Sequence, residues 1–454
     1  MCRMRLVVLG GGGFRVPQLH RALLVDLEPG AGDIDEMVLV DIDRHRLDAV
    51  LAVIDDQRAQ HSGAAPTVRA TTELTDALPG ADVVFSAIRV GGLAGRVVDE
   101  QVARREGVIG QETVGAGGIS YGLRTIPVVR RLADQIAAQA PEAWVVNFTN
   151  PAGIVTEVMS EVLGERVIGI CDSPVGLCRR AARAAGVDSD RVRFDYAGIN
   201  HLGWLRGMHA DGVDRLPGLL ADPVALQSFE EGALFGAPWL QALGALPNEY
   251  LHYYYFTREV LGTAGAEPGR GQVLTGQQDE FYRVAAGRPA TASALWTAAV
   301  RERESTYLAD NRRAAGAGPR TDADVDSGGY TGIALAVLRA IRTDEPVRLI
   351  VNVRNHGAIP GLADQSVVEV PSVVDGTGAR PDEIEPLTGH QAGLVHAVKA
   401  CEQDTIIAAL TGSRQAALRA FAGHPLVDSV AVAGRLLDGY LAAVPGLAEI
   451  LDRN

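Results

Sequence analysis

The stretch MRLVVLGGGG, from Met4 to Gly13, is an apolar run that ends in four glycines. The run predicts a buried strand, and we expect a helix after the glycines, from about residue 17 to residue 27. Glycines between a strand and a helix let the backbone approach a pyrophosphate, whose charge then lies at the helix N-terminus. Gly10, Gly12 and Gly13 are therefore candidate cofactor-binding residues.

The second predicted strand, EMVLVDID, adds an acidic residue to this pattern. It ends at Asp41, with Asp43 close behind. A carboxylate at this position accepts hydrogen bonds from ribose hydroxyls and repels a 2′-phosphate, so NAD is favoured over NADP. The third glycine of the usual fingerprint is replaced by Arg15, which leaves a tight turn without a nucleotide as the alternative. The strand, turn, helix, strand and acid together favour dinucleotide binding.

Strand and helix patterns alternate through the first part of the chain. The apolar runs ADVVFSAI, WVVNFT and RVIGI are separated by amphipathic stretches, which implies a parallel, doubly wound sheet. Beyond about Phe194, strand-like segments mix with long Ala/Leu helices, including DTIIAALTGSRQAALRAFAG. We expect an α/β fold with a Rossmann-type domain over residues 1–193 and a second α+β domain over residues 194–454. AGAGPRTDADVDSGG, Ala315–Gly329, is the most loop-like segment.

The charge balance of the chain bears on its partners. With 42 basic and 56 acidic side chains the formal net charge is −14, which argues against nucleic-acid and anionic-membrane binding. A local basic pocket for a phosphorylated small molecule is compatible with this balance. Four scattered cysteines are too few for a disulfide scaffold, and no segment looks long enough to span a bilayer. We therefore expect a cytoplasmic protein.

A cysteine and a histidine follow two further strands, in GICDSPVG and GINHLGW. Either residue alone is more often core filler or an ordinary polar group. Cys171 and His201 both lie after apolar strands, however, and α/β sheets place ligands at the C-terminal ends of their strands. A thiolate and an imidazole suit transition metals, and two protein ligands leave positions open for substrate oxygens. The pair therefore indicates a catalytic rather than a structural metal site.

Other polar residues gather at predicted strand ends. NFTNP offers two carboxamides, and IRVGGLAGR offers Arg89 and Arg96. Ordinary polar loops and solvated salt bridges are the alternatives for these segments. LPNEYLHYYYF contains four of the ten tyrosines, a cluster that is more typical of a core or a subunit interface than of chemistry.

Taken together, these motifs resemble the family 4 glycoside hydrolases, which depend on NAD and a metal. The resemblance is carried by VVLGGGG, GVIGQETVGAGG, NFTNPAGIVTE, the CDSP run, INHLGW, PNEYLHYYYF and NHGAIPGLADQSVVEVP, and it covers almost the whole chain. It implies a fold similar to that of lactate and malate dehydrogenases. Within the family the chain looks most similar to the 6-phospho-β-glucosidases, so the resemblance implies hydrolysis of O-glycosidic bonds of phosphoglucosides.

The resemblance also implies a mechanism and roles for particular residues. NAD⁺ takes hydride from C3 of the sugar, a base removes the C2 proton, the aglycone leaves by elimination, and water and hydride return. Such glycosidases are exceptions to the two-carboxylate scheme. By position, Cys171 and His201 match the metal ligands, here for Mn²⁺ or another divalent metal. Tyr250 matches the base, with Tyr253, Tyr254 and Tyr255 as competitors. Asp172 matches the general acid of the α-type enzymes, and the positions that contact substrate are Arg96, Asn150 and Arg270.

Some of what the resemblance implies is left open by the motifs themselves. CDSP is typical of the α-type enzymes and PNEYLHYYYF of the β-type, so the anomeric preference and the need for a 6-phosphate stay undecided. The alternatives are a 6-phospho-α-glucosidase, an α-galactosidase or an α-glucuronidase of the same family. A net NAD-dependent dehydrogenase and a non-catalytic NAD sensor are further alternatives. A homo-oligomer, dimer or tetramer, is expected by analogy with the family.

Overall fold

The computed structural model describes residues 4–26, 34–263, 269–318, 320 and 329–452. Its strands are β1 (Met4–Leu9), β2 (Ile34–Val40), β3 (Thr67–Thr71), β4 (Val83–Ser86), β5 (Trp144–Asn147), β6 (Val167–Gly169), β7 (Arg193–Ile199), β8 (Leu202–Ala210), β9 (Val213–Asp214), β10 (Leu246–Pro247), β11 (Val347–Arg354), β12 (Val367–Asp375) and β13 (Gly378–Pro381). The loop-like segment from Ala315 to Gly329 lies mostly outside the described residues.

The α-helices surround the sheet and are numbered in chain order. They are α1 (Val16–Asp26), α2 (Arg44–Ala59), α3 (Leu74–Ala77), α4 (Gly92–Arg105), α5 (Gly115–Gln139), α6 (Ala152–Leu163), α7 (Ser173–Ala184), α8 (Leu216–Leu220), α9 (Pro223–Gln227), α10 (Glu230–Phe235), α11 (Ala237–Leu243), α12 (His252–Tyr255), α13 (Thr257–Thr263), α14 (Arg270–Ala285), α15 (Ala292–Ser305), α16 (Ala309–Ala314), α17 (Gly329–Thr343), α18 (Gly389–Thr411), α19 (Arg414–Gly423), α20 (Val430–Ala443) and α21 (Leu447–Leu451). None of these described helices has both the length and the apolar character needed to cross a bilayer.

The first six strands form a parallel sheet in the order β3-β2-β1-β4-β5-β6. This is the order of the doubly wound dinucleotide-binding fold, in which the chain reverses direction across the sheet between the first and fourth strands. The predicted fold class is therefore confirmed. The parallel sheet is buried on both faces, because Leu6 and Val8 of β1 belong to one hydrophobic cluster and Val7 and Leu9 to another.

The later strands continue the same sheet in antiparallel fashion. β11 joins β6 through one residue pair, Asn352 with Gly169, and β12 then pairs along the whole of β11. β7 pairs with β12, and β8 and β10 follow at the far edge. The strands after residue 193 therefore build the second half of one continuous sheet. The division into domains at residues 193 and 194 stays a prediction.

The segment DTIIAALTGSRQAALRAFAG differs from its prediction as one helix. α18 ends before Gly412, which has a φ of +77°, and α19 begins after Ser413. The hydroxyl of Ser413 accepts a hydrogen bond from the backbone N–H of Ala416 at 3.2 Å. Glycine followed by serine is a helix stop followed by a helix start, and here these local preferences outweigh the continuous Ala/Leu pattern.

The only lysine of the chain, Lys399, lies on α18 with 3% of its surface exposed. Its Nζ lies 3.4 Å from an Oε2 of Glu157 on α6 and also pairs with Glu402 on its own helix. A buried ammonium group needs carboxylate partners, because without them its positive charge is left uncompensated inside the protein, which is strongly destabilising. The lysine thereby links α18 to α6.

Candidate active site

A cavity of about 670 Å³ lies at the carboxyl ends of the parallel strands. Its walls include residues 13–16 after β1, residues 87–89 after β4 and residues 170–173 after β6. Doubly wound sheets bind their ligands at this end. The structure brings eight predicted site residues into this one cavity: Gly13, Arg96, Asn150, Cys171, Asp172, His201, Tyr250 and Arg270.

The remaining predicted residues, Gly10, Gly12 and Asp41, form the support of the glycine turn rather than the cavity wall. A Cβ on Gly10, whose φ is +80°, would lie 2.6 Å from the carbonyl oxygen of Ala87. The N–H of Gly12 donates to Oδ2 of Asp41 at 3.0 Å, and the N–H of Asp43 donates to Oδ1 at 3.1 Å. A turn that excludes side chains, beside the N-terminus of α1, fits the close approach of a pyrophosphate.

Cys171 and His201 have the chemistry that a divalent cation needs. Cys171 follows β6 and is 5% exposed, and His201 is the second residue of the two-residue turn between β7 and β8. Nδ1 of His201 is buried and has no hydrogen-bond partner among the described residues. Burial lowers the pKa of His201 to about 4, so the imidazole is neutral and can act as a ligand.

Three further observations concern this pair. His201 has a φ of +63°, and non-glycine residues in this region are concentrated at functional sites. Burial raises the pKa of the Cys171 thiol well above its usual value, so a bound cation is what would favour the thiolate. Within the described part of the chain, no three His, Cys, Asp or Glu side chains converge on one metal position. Among the described residues, a cation held by Cys171 and His201 would therefore have no third His, Cys, Asp or Glu ligand.

Tyr250 lies directly against the proposed metal ligand. Its ring is stacked on that of His201, with centroids 3.8 Å apart and an interplanar angle of 11°. Of the competing tyrosines, Tyr253 also lines the cavity. Tyr255 instead accepts a hydrogen bond from Trp204 at 2.9 Å and contacts His390, away from the cavity. Of the four candidate tyrosines, Tyr250 and Tyr253 therefore line the cavity.

Arg15, which replaces the third glycine of the fingerprint, reaches Asp172. Its Nη1 lies 3.4 Å from Oδ2 of Asp172, and its guanidinium lies over the rings of Phe148 and Tyr330. The hydroxyl of Tyr330 donates to the carbonyl oxygen of Arg15 at 2.6 Å. The departure from the glycine fingerprint therefore places a cation in the cavity, beside the candidate general acid.

Arg96 follows β4, as predicted, and lies on α4, where it is 8% exposed. Its Nε donates to Glu100 at 2.8 Å and its Nη1 donates to Glu112 at 2.6 Å. Glu112 also pairs with Arg89, and these cations lower the pKa of its carboxyl to about 2 against the effect of burial. The two carboxylates fix the direction of the Arg96 guanidinium within the cavity wall.

Arg303, which sequence reasoning missed, is a partly buried cation with little compensation, its side chain being 17% exposed. Its described ion pair is a 4.0 Å approach to Glu304, its neighbour in sequence. Burial, together with the guanidiniums of Arg15 and Arg270, lowers the pKa of Arg303 to about 9. Arg270 itself donates to the carbonyl oxygens of Arg303 and Thr306, at 2.7 and 3.0 Å. The run RERESTY, residues 301–307, could have indicated a cationic site, but a run of alternating charges is more typical of a solvated helix face.

The cavity as a whole is positively charged although the protein is acidic. Ten arginines and seven carboxylate side chains line it, whereas the net charge of the chain is −14. Clefts with one dominant sign of charge concentrate ligands of the opposite sign. The cavity is therefore suited to anionic ligands, and the local basic pocket that the sequence left open is present.

Comparison with known proteins identifies related chains. The family model described as family 4 glycosyl hydrolase matches residues 5–187, and that of the family 4 glycosyl hydrolase C-terminal domain matches residues 196–427. The chain is 32% identical to a probable 6-phospho-beta-glucosidase of Bacillus subtilis, over 97% of this chain and 96% of that protein.

Two solved structures are similar over nearly the whole length. One is the 6-phospho-beta glucosidase from Thermotoga maritima with manganese, NAD⁺ and glucose-6-phosphate, at 28% identity and a TM-score of 0.80, covering 97% of this chain and 98% of that one. The other is a 6-phospho-alpha-glucosidase from gut microorganisms in complex with NAD and glucose-6-phosphate, also at 28% identity and a TM-score of 0.80, covering 98% and 99%.

Proposed function

Because this chain belongs to family 4 of the glycosyl hydrolases, we propose that it hydrolyses the O-glycosidic bond of 6-phospho-β-glucosides with NAD and a divalent cation, Mn²⁺. The observation that carries this proposal is the cavity that brings together the last residue of the glycine turn, Gly13, the Cys171 and His201 pair, and a surplus of arginines. A dinucleotide, a cation and a phosphorylated sugar each have suitable residues there.

The cofactors have distinct binding residues in this proposal. When bound, NAD⁺ and the divalent cation supply reversible hydride acceptance and Lewis-acid polarisation of the sugar oxygens. The turn from Gly10 to Gly13 and the carboxylate of Asp41 hold the dinucleotide. Cys171 and His201 hold the cation. The buried wall around them restricts the access of bulk water to the reacting sugar.

The chemistry carried by the protein side chains centres on C2 of the sugar. Tyr250, stacked on His201, accepts the C2 proton as the general base. Asp172 lines the same cavity, one residue from Cys171, and is the candidate for protonating the leaving oxygen. Arg96, Asn150 and Arg270 contact the substrate, and Arg15 and Arg303 add positive charge for its phosphate.

A substrate panel tests the proposal directly. With NAD⁺ and Mn²⁺ both present, p-nitrophenyl 6-phospho-β-glucoside is expected to release nitrophenol, and omission of either cofactor is expected to stop turnover. The matched substrates are the 6-phospho-α-glucoside, the unphosphorylated glucosides and an α-galactoside. Absence of turnover with every substrate of the panel, including the 6-phospho-β-glucoside, contradicts the proposal. Accumulation of NADH would identify a net dehydrogenase instead.

A 6-phospho-α-glucosidase is the second candidate, favoured by one observation. Asp172 occupies the position of the α-type general acid and lies in the cavity, 3.4 Å from Arg15. Faster release from the α-anomer than from the β-anomer in the same panel would select this alternative.

The replacement Arg303→Ala tests the phosphate contact. We expect it to raise KM for the 6-phospho-β-glucoside by about 10- to 100-fold, since a hydrogen bond to a charged group contributes roughly 1.5–3 kcal/mol. Steady-state kinetics measure the effect. Arg301→Ala is the matched control, because Arg301 is exposed on the same helix. An increase in KM that is equally large for Arg301→Ala would contradict the assignment.

We also propose that the protein works in the cytoplasm as a homo-oligomer. Cys171, Cys178 and Cys401 are free and buried, which is typical of proteins from reducing compartments. Ile407 and Leu410, one turn apart on α18, are 44% and 36% exposed and offer an apolar surface for a second copy.

A further inference from the structure

We propose that Tyr307, a residue outside every motif of the sequence analysis, positions the hydroxyl group of Tyr250 for proton abstraction. The two hydroxyl oxygens lie 3.3 Å apart, and both residues line the cavity. This inference rests on the proposed function, because it concerns the base of that reaction. It makes Tyr307 a positioning residue, which acts on the substrate only through Tyr250.

The stacking partner of Tyr250 leaves one degree of freedom unfixed. The ring of His201, nearly parallel at 11°, sets the plane of the phenol. Stacking does not determine which lone-pair direction of the Tyr250 oxygen faces the sugar, because a phenolic oxygen can accept hydrogen bonds in more than one direction. A hydrogen-bond partner must set it, and within the described residues Tyr307 is the side chain that bonds to this hydroxyl.

Tyr307 is itself held firmly enough to serve this purpose. The guanidinium of Arg320 lies 4.9 Å from the centre of its ring, and Arg320 is paired with Glu230 and Glu304 at 3.1 and 3.2 Å. The next residue, Leu308, is buried and has a φ of +52°. A leucine in this conformation costs of order 1–3 kcal/mol, and such strain persists where the surroundings fix the turn and clusters at functional sites.

The hydroxyl of Tyr307 lies between two acceptors. One is the oxygen of Tyr250, and the other is Oε1 of Glu249, also at 3.3 Å. Ser173 donates to the same Oε1 at 2.6 Å, so Glu249 keeps a donor when Tyr307 turns away. When the Tyr250 oxygen acts as an acceptor, the hydroxyl of Tyr307 donates a hydrogen bond to it. The remaining lone-pair direction of Tyr250 is then free to face the sugar.

The test is Tyr307→Phe, which removes one oxygen and keeps the ring under Arg320. We expect kcat for p-nitrophenyl 6-phospho-β-glucoside to fall roughly 10- to 100-fold, the size of effect that a small misplacement of a reacting group produces. KM is expected to change by less than about threefold. The kinetic isotope effect of substrate deuterated at C2 is expected to rise, while that of substrate deuterated at C3 does not.

The controls separate positioning from loss of structure. Tyr440→Phe also removes a buried hydroxyl, which donates to the carbonyl oxygen of Asp99 at 2.9 Å, and it should leave kcat and both isotope effects unchanged. Tyr307→His retains an N–H donor and should recover part of the lost kcat. If Tyr307→Phe is too unstable to assay, an increased C2 isotope effect in Tyr307→His supports the proposal and an unchanged one overturns it.

The unfavourable outcomes are distinguishable from one another. Wild-type kcat in Tyr307→Phe, or a lower kcat with an unchanged C2 isotope effect, overturns the positioning role and leaves the proposed function standing. Absence of turnover by the wild-type protein on every phosphoglucoside overturns the proposed function, and the role of Tyr307 with it.

Discussion

Replacing Tyr250 with phenylalanine is expected to lower kcat for 6-phospho-β-glucosides by about 10²- to 10⁴-fold, the usual contribution of a positioned general base. The variant loses one oxygen but keeps the ring, whose centre lies 3.8 Å from that of His201, so the packing that holds His201 in place is retained. Exchange of the C2 proton with solvent deuterium, followed by NMR, should be lost to the same extent. Affinity for NAD⁺ and Mn²⁺, measured by calorimetric titration, should stay near that of the wild type.

Tyr253→Phe is the matched comparison, because Tyr253 lines the same cavity and its ring centre lies 6.5 Å from that of Tyr250. We expect a smaller loss of kcat and retained C2 exchange in this variant. If Tyr253→Phe abolishes exchange while Tyr250→Phe retains it, the base is Tyr253 and the assignment by position in the PNEYL run is wrong.

The second large effect is expected from Cys171→Ser. Serine has nearly the same size, but its hydroxyl is not deprotonated at neutral pH and is a poorer ligand for a transition metal. Replacing a residue that hydrogen-bonds to a metal ligand already reduces metal affinity by about 10- to 100-fold. Loss of the ligand itself should therefore reduce the affinity for Mn²⁺ by at least about 100-fold. Titration of Mn²⁺ by calorimetry, with turnover measured in parallel, gives both the affinity and its consequence.

The chain provides a close control for this experiment. Cys178→Ser makes the same change at another buried thiol, on α7 and outside the cavity wall. It should bind Mn²⁺ with wild-type affinity even if it lowers thermal stability. Equal Mn²⁺ affinity in Cys171→Ser and the wild type would remove Cys171 from the metal site.

Much of the fold could be predicted from local patterns, because a strand and the glycine turn after it are each specified by a few consecutive residues. The run before Gly10 and the run before Asp41 became β1 and β2, side by side in the parallel sheet. The helix around DTIIAAL was harder to delimit, because Gly412 ended it within an Ala/Leu pattern that otherwise continues. The pairing of β11 with β6 joins residues far apart in sequence, and no local pattern encodes that contact.

The same distinction holds for the candidate site. Cys171 was placed in the site because it follows a strand of the parallel sheet, whose carboxyl ends share one edge. The same rule does not account for His201, because β7 lies in the antiparallel half of the sheet. Its end reaches the cavity through the pairing of β7 with β12 and of β11 with β6. Arg303 and Tyr307 were missed because they lie at and just beyond the end of α15, in a run whose charges resemble a solvated surface. Only the packing of this segment against the cavity leaves Arg303 partly buried and brings the hydroxyl of Tyr307 to 3.3 Å from that of Tyr250.

The single lysine gives this protein an unusual response to covalent labelling. Acylating reagents that select amines meet no side-chain target on the native surface, because Lys399 is only 3% exposed and held between two glutamates. Its ammonium becomes reachable when α18 separates from α6. The rate of acylation at this one position therefore reports how often that part of the molecule opens, with no engineered probe.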